Sequence, residues 1–423
     1  MKLKAPRGTQ DVLPDRSPAW VWLEERFRSV LERYAYREIR TPVFETTELF
    51  QRGVGESTDI VQKEMYTFAD RKGRSLTLRP EGTASVARAF VEHNLQAGPR
   101  PLRVYYMGPM FRYERPQAGR YRQHQQIGAE LIGAPGAGAD FEVISLLVDL
   151  FDAVGLTGLR VLLNSVGDAA CRPAYTRALR DYVKGEEAAL SEEMRRQLSL
   201  NPLRMLDSKD PGMRRMVEGM PSIQDSLCEA CLAHQRELTD LLGAAGIDTG
   251  LDARLVRGLD YYTRTVFEVQ HGGLGAQNAV GGGGRYDGLI EDVGGPAIPA
   301  VGFSTGVERI LLALDAEGAP VPGAAPPQMM IVMVGGDAER RAGHLLARRL
   351  RRRFSVDVDL MDRGLGGQMK AANRTGARLV LIVGEGELSE GRWTLKDMEG
   401  GGQESVADEN LESHLEKFLG KGS

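Results

Sequence analysis

Residues 108–130, GPMFRYERPQAGRYRQHQQIGAE, constrain the fold more than any other stretch of the chain. Their flanks alternate as strands do, with Val104, Tyr106 and Met110 on the left and Gln126, Ile127 and Ala129 on the right. Between them lie Arg112, Arg115, Arg120 and Arg122, punctuated by Pro116 and Gly119. The pattern predicts two antiparallel strands joined by a basic loop. Planar guanidinium forks bind phosphate oxygens in pairs, so a polyphosphate is the natural partner of such a cluster. A surface hairpin with solvated arginines is the plainer alternative.

A chain of 423 residues predicts two or three domains rather than one core. Three cysteines, an odd number, argue against a disulfide scaffold. No apolar run approaches the ~20 residues that span a bilayer. The first fourteen residues lack the apolar core of a signal peptide, which predicts a cytoplasmic protein with no membrane partner. The net charge of −4 neither supports nor excludes a nucleic-acid partner, because only the contact path need be basic.

Along the chain, Ser17-Pro18 predicts a helix capped by Ser17, with Trp20, Leu23, Phe27, Val30, Leu31 and Tyr34 on one apolar stripe. Residues 38–44 read as an edge or interface strand containing Pro42. Residues 65–68 and 75–78 read as a hairpin, and Pro80 opens a helix with Glu81 and Thr83 in its first turn. A helix over 140–154 and a strand over 158–164 follow. Residues 168–247 look like a helical insertion between two parts of one sheet, with strands resuming at 251–256 and 262–270. The linker 317–328, EGAPVPGAAPPQ, separates domain 1–316 from 329–423, where apolar runs alternate with helices as in a small α/β domain with a largely parallel sheet.

No GxxxxGK[ST], HExxH or GxSxG motif is present. Cys228 and Cys231 form a CxxC in a helical run, with His234 nearby. A metal would need further ligands, and Cys171 is the only other cysteine, so packing cysteines are expected and no protein metal ligand is assigned. The run 347–354, ARRLRRRF, fits a solvated helix face as well as a nucleic-acid contact. In LVRGLDYYTRTVFE (255–268), charges crowd into a segment otherwise rich in core residues, which implies a lined cavity. If the strand is regular, Arg257, Leu259 and Tyr261 share one face. AVGGGGRYDGL (279–289) adds four consecutive glycines, suited to close approach of a ligand or backbone. AVGFSTGVER (300–309) runs from strand through a glycine turn into a helix carrying Arg309.

Over essentially its whole length the chain resembles the histidyl-tRNA synthetases, class II aminoacyl-tRNA synthetases. Residues 41–68 are similar to the first class motif, which builds a homodimer interface around a proline, here Pro42. FRYERPQAGRYRQ matches the second motif and AVGFSTGVERI the third. The two segments at 255–268 and 279–289 resemble stretches peculiar to the histidine enzymes. The resemblance implies an α+β catalytic domain, an antiparallel sheet flanked by helices with a helical insertion, and a C-terminal α/β anticodon-binding domain.

It also implies site residues. Arg112 would hold the α-phosphate and activated carboxyl, Arg309 the far phosphates of a bent ATP, and Glu114 would lie near the adenine. Arg257 matches the catalytic arginine. Glu81, Thr83, Gln126, Glu130, Tyr261 and Tyr262 match the histidine pocket, and Gln117 and Arg120 the loop that approaches the acceptor end of the tRNA. The implied partners are L-histidine, histidine tRNA and ATP with Mg²⁺. One departure stands out: His124 replaces the aromatic that stacks on adenine, and an imidazole offers less area and can protonate near pH ~6.5. The second reading is a non-catalytic, synthetase-like regulatory subunit of ATP phosphoribosyltransferase. Such subunits typically lose the arginine segment and the anticodon domain, both present here.

Overall fold

A computed structural model describes residues 3–117, 119–184, 195, 202–207, 216–217, 219–275 and 277–420. Contacts divide the chain into two compact units, Met1–Gly323 and Ala324–Ser423.

In chain order, the first unit begins with α1 (Ser17–Arg33), β1 (Arg37–Glu38), β2 (Phe44–Thr46), α2 (Thr47–Val54), β3 (Tyr66–Ala69), β4 (Ser75–Leu78) and α3 (Thr83–Glu92). The basic hairpin follows as β5 (Leu102–Phe111) and β6 (Gln123–Ile132), then α4 (Ala137–Asp152) and β7 (Leu159–Ser165). Within the expected insertion lie α5 (Arg172–Lys184) and α6 (Glu229–Ala244); residues 185–194, 196–201, 208–215 and 218 of it lie outside the described residues. The unit closes with β8 (Thr249–Leu251), β9 (Thr263–His271), β10 (Ala279–Arg285), α7 (Leu289–Asp292), β11 (Ala300–Gly306) and α8 (Val307–Glu317).

The large sheet runs β1-β5-β6-β11-β10-β9-β7-β8, and β2-β4-β3 form a small separate sheet. Its inner strands pair antiparallel, but β1–β5 and β7–β8 pair parallel, so the sheet is mixed at both edges rather than purely antiparallel. Strand alternation assigns the two faces. Ile127, Ala129 and Leu131 of β6 join Val301, Phe303, Phe267 and Val269 in the core beneath α1, α4 and α8. Their neighbours Gln126, Gly128 and Glu130 point the other way. That opposite face therefore carries the polar groups.

Local expectations fail at four places. Ser17 is already helical and does not cap; its N–H reaches Leu13 O at 2.9 Å, so a preceding turn supplies the acceptor. Pro42 lies between β1 and β2 in neither strand. Residues 252–262 form a loop, so the alternation expected for Arg257, Leu259 and Tyr261 does not exist. Glu81 precedes α3 rather than joining its first turn. Its carboxylate accepts from the N–H of Thr83 at 2.6 Å and of Ala84 at 2.8 Å, answering two donors at the helix start.

In the second unit, β12 (Met329–Met333), β13 (Val356–Val358) and β14 (Leu379–Val383) pair parallel in the order β13-β12-β14. The sheet then continues antiparallel through β15 (Arg392–Asp397) and β16 (Gln403–Ala407), a hairpin too polar to read as core. Helices α9 (Asp337–Leu350), α10 (Leu365–Thr375), α11 (Glu385–Glu390) and α12 (Leu411–Gly420) complete it. Buried Gln368 grips β12 by donating to Met333 O and accepting from Met333 N, at 2.8 and 2.9 Å.

Candidate active site

A cleft of about 460 Å³ and an inner pocket of about 90 Å³ open on the polar face, and Arg112, Arg257 and Ser304 line both. The arginines come from separate segments. Arg112 follows β5, where its Nε donates to Pro80 O at 2.8 Å and Glu114 lies 4.0 Å from Nη1. Arg257 stands in the loop before β9, with Nη1 on Glu268 Oε2 at 2.5 Å. Arg309, in the first turn of α8, is oriented by the carbonyls of Ala279, at 2.6 Å, and of Gln277. Carbonyls orient a guanidinium without neutralising it, so the cleft keeps a positive field.

Two buried carboxylates stand at the inner pocket: Glu81 lines it, and Glu130 lies behind Thr83, Tyr286 and Gly302, which line it too. Glu130 is fully buried on β6, accepting from Thr83 Oγ1 at 2.8 Å and Tyr286 OH at 2.5 Å. Gly302 on the neighbouring strand makes this possible, since a Cβ there would lie 1.7 Å from Glu130 Oε2. Burial pushes Glu130 up to about 8. Burial also raises Glu81, opposed by the N–H groups of Ala84 and Thr83. Tyr261 packs edge-on against Tyr262 and Tyr286, ring centroids 4.7 and 5.5 Å away. Gln126 is buried and its Oε1 has no hydrogen-bond partner, an acceptor aimed at the cleft it lines.

Four consecutive glycines form the core of β10, an ordered strand rather than a loose loop. A Cβ on Gly282 would crowd the Arg257 guanidinium at 3.0 Å, and one on Gly284 would sit 2.7 Å from the Tyr262 ring. The strand is stripped of side chains so that the Arg257–Tyr262 segment can lie against it.

The remaining expected residues sit further out. Half-buried Glu114 and Arg120 pair across the cleft at 3.4 Å. Gln117 is exposed at the hairpin tip, exchanging backbone hydrogen bonds with Arg120 at 3.2 and 2.9 Å. Exposed Pro42 lies outside the cleft. His124 lines the cleft, and burial together with the Arg112 charge holds its imidazole down to about 3. The expected protonation near neutral pH is therefore corrected: the ring stays neutral.

Sequence reasoning gave no role to Glu268, Tyr286 or Glu308. Glu268 anchors Arg257, Tyr286 donates to Glu130, and Glu308 accepts Gln125 N–H at 2.9 Å with burial raising it to about 7. All three stand inside the singled-out segments, but only the sheet register shows which side chains meet.

The profile of the histidyl-tRNA synthetase family matches residues 8–310, and that of the anticodon binding domain matches 328–418. A histidine–tRNA ligase of Moorella thermoacetica is 48% identical over 406 residues, covering 96% of each chain. One of Halothermothrix orenii is 45% identical over 419 residues, 99% of this chain and 100% of its own. The solved structure of an apo histidyl-tRNA synthetase from S. aureus superposes with a TM-score of 0.84 at 37% identity, covering 98% of this chain and 100% of that one.

Proposed function

Since the chain belongs to the histidyl-tRNA synthetase family, we propose that its two adjoining cavities hold the two substrates of histidine activation. The chain is an ATP-dependent ligase that makes histidyl-adenylate and transfers the histidyl group to the 3′ end of histidine tRNA. The observation that carries the site assignment is the position of Arg112 and Arg257, which line both the cleft and the pocket. The histidine carboxylate attacks the α-phosphorus and pyrophosphate leaves. No general base is required, because the nucleophile is already ionised; two anions must be brought together and their charge balanced. Arg112 and Arg257 do this at the junction, and Arg309 clamps the far phosphates. Mg²⁺ arriving with ATP would supply charge neutralisation at the leaving phosphates; Glu114 and Glu268 line the cleft and already pair with arginines, so neither is assigned to the ion. In the second step a terminal ribose hydroxyl attacks the adenylate carbonyl and AMP departs, with Gln117 and Arg120 guiding the acceptor end.

Glu81 and Arg112 line the same inner pocket, which supports giving Glu81 the α-ammonium group beside the substrate carboxylate. Glu130, deeper and flanked by Tyr286, takes the imidazole. Its neutral carboxyl matches an uncharged ring. A substrate without the ring nitrogens leaves these groups orphaned, at about 1–3 kcal/mol each. His124 and Glu114 flank the adenine. Deeper selection by two carboxyls is what separates this site from an amino-acid pocket of apolar kind.

Val43, Phe44 and Phe68 are exposed beside Pro42, an apolar surface suited to a second copy of the chain. We assign the homodimer interface there; sedimentation at the single-chain mass would remove it. Among the described residues no helix is long and apolar enough to cross a membrane, and a tRNA substrate fits a cytoplasmic location. The site assignment is tested by histidine-dependent pyrophosphate–ATP exchange. Exchange is expected in the wild type and lost with Arg257→Ala, and wild-type levels in the variant would defeat it.

A further inference from the structure

The three cysteines are not scattered packing residues. Asp168, Cys171, Cys228 and Cys231 each point one ligand atom into a common space, all within 4.8 Å of one another. Cys171 and Cys231 are buried, with their sulfurs 3.7 Å apart. A disulfide needs about 2.05 Å. Tetrahedral zinc with Zn–S bonds near 2.3 Å instead sets sulfurs roughly 3.8 Å apart. Cys228 Sγ lies 4.0 Å from both carboxylate oxygens of Asp168.

We propose that Asp168, Cys171, Cys228 and Cys231 form a structural zinc site that fastens the two ends of the insertion. The residues sit in two short knuckles, Asp-x-x-Cys and Cys-x-x-Cys, the spacing that lets one turn present two ligands to one ion. Backbone donors already serve the ligand atoms: Cys228 N–H points at Cys171 Sγ at 3.0 Å, and Ala170 and Cys171 N–H at Asp168 Oδ1 at 3.0 and 3.3 Å. Zinc binding displaces the three thiol protons, leaving the ion with three thiolates and one carboxylate. The resulting negative charge faces Arg264, whose Nη2 lies 3.4 Å from Asp168 Oδ2. Three soft sulfurs and a tetrahedral set select zinc over magnesium or calcium.

The placement explains what the ion does. The first knuckle follows β7, where the chain leaves the large sheet, and the second opens α6, which leads back to it. Arg264 begins β9, and neighbouring Arg172 donates to Tyr262 O. The site thus closes the base of the insertion and braces the segment that carries Arg257. None of its four residues lines the cleft or the inner pocket, so the ion is not a catalytic metal.

Full-length protein, purified under reducing conditions after growth with zinc and then desalted, is expected to hold about one zinc per chain by mass spectrometry of the metal. Cys171→Ser and Cys228→Ser should each lower that content about tenfold or more. Titrating the wild-type thiols with a mercurial should release the zinc, a readout that needs no variant. Wild-type protein without zinc under reductant, or holding a Cys171–Cys231 disulfide instead, overturns the proposal; so do serine variants with undiminished zinc. Cobalt substitution tests the fourth ligand: Asp168→Cys should strengthen the thiolate-to-cobalt absorption, and an unchanged spectrum would strike Asp168 from the set.

Discussion

Arg285 and Arg257 both belong to segments beside the inner strands of the large sheet, yet their surroundings are opposite in kind. Arg285 is wholly buried and saturated: Asp140, itself fully buried, pairs with it, Asp287 approaches at 3.2 Å, and Ala134 O and Gly136 O accept at 3.1 Å. Arg257 has one carboxylate, Glu268, and turns the rest of its fork to the cleft. Arg112 and Arg309 are oriented mainly by carbonyl groups, which hold the side chain but leave its charge. Both regions use guanidinium groups fixed by the same sheet. A closed arginine knits the fold, and an open one waits for an anion.

The sharpest way to break that contrast is Arg285→Ala. It strands Asp140 in the interior, and loss of one buried partner costs about 3–5 kcal/mol. Denaturant unfolding that shifts by less than ~1 kcal/mol would erase the distinction. Arg257→Ala should do the reverse. Removing a donor that balances transition-state charge lowers rate by about 10²–10³-fold, read as histidine-dependent exchange, while the unfolding midpoint stays put.

Glu130→Gln should raise the KM for histidine about tenfold, the effect of one mispaired buried group. It also carries a pH signature. Burial raises Glu130 from 4.5 to about 8, so its contribution to stability is fully present below pH 4.5 and lost as pH rises through about 8. Glutamine does not titrate, so the variant's melting temperature should gain on that of the wild type between pH 5 and pH 9. A constant difference across that range would place Glu130 in a wetter site than described. The smallest effect concerns His124→Phe, where more stacking area should lower the KM for ATP roughly two- to fivefold. Because the His124 imidazole stays neutral down to about 3, the ratio of the two KM values should be flat from pH 6 to 8.

Much of this was legible in the sequence because the informative signals are local. Strand alternation around 108–130 marked the hairpin, and the glycine run and the Arg257 segment stood out by composition alone. What stayed hidden depends on which groups meet, within a turn as much as across the chain. Glu81 looks like a first-turn helical residue until its carboxylate is seen answering the N–H groups of Thr83 and Ala84. Pro42 reads as strand beside Val43 and Phe44, apolar residues that are exposed on the surface. Arg285 sits among site residues in sequence but finds Asp140, 145 positions away, on the opposite side of the sheet from the cleft. Cys171 and Cys231 are separated by 60 residues, a distance no spacing rule bridges.

The glycines of β10 give the site a property that side chains could not. A Cβ on Gly283 would sit 1.9 Å from Gly302 O, so at that point β10 and β11 pair with no room for a side chain between them. A wall made of peptide groups has no rotamers to relax and nothing to swing aside when a ligand arrives. Its position is set by the hydrogen-bond ladder, and the gap it borders works as a fixed gauge. Ligands must fit that gauge, and errors in fit are passed to the side chains that line the rest of the cleft rather than absorbed by the wall.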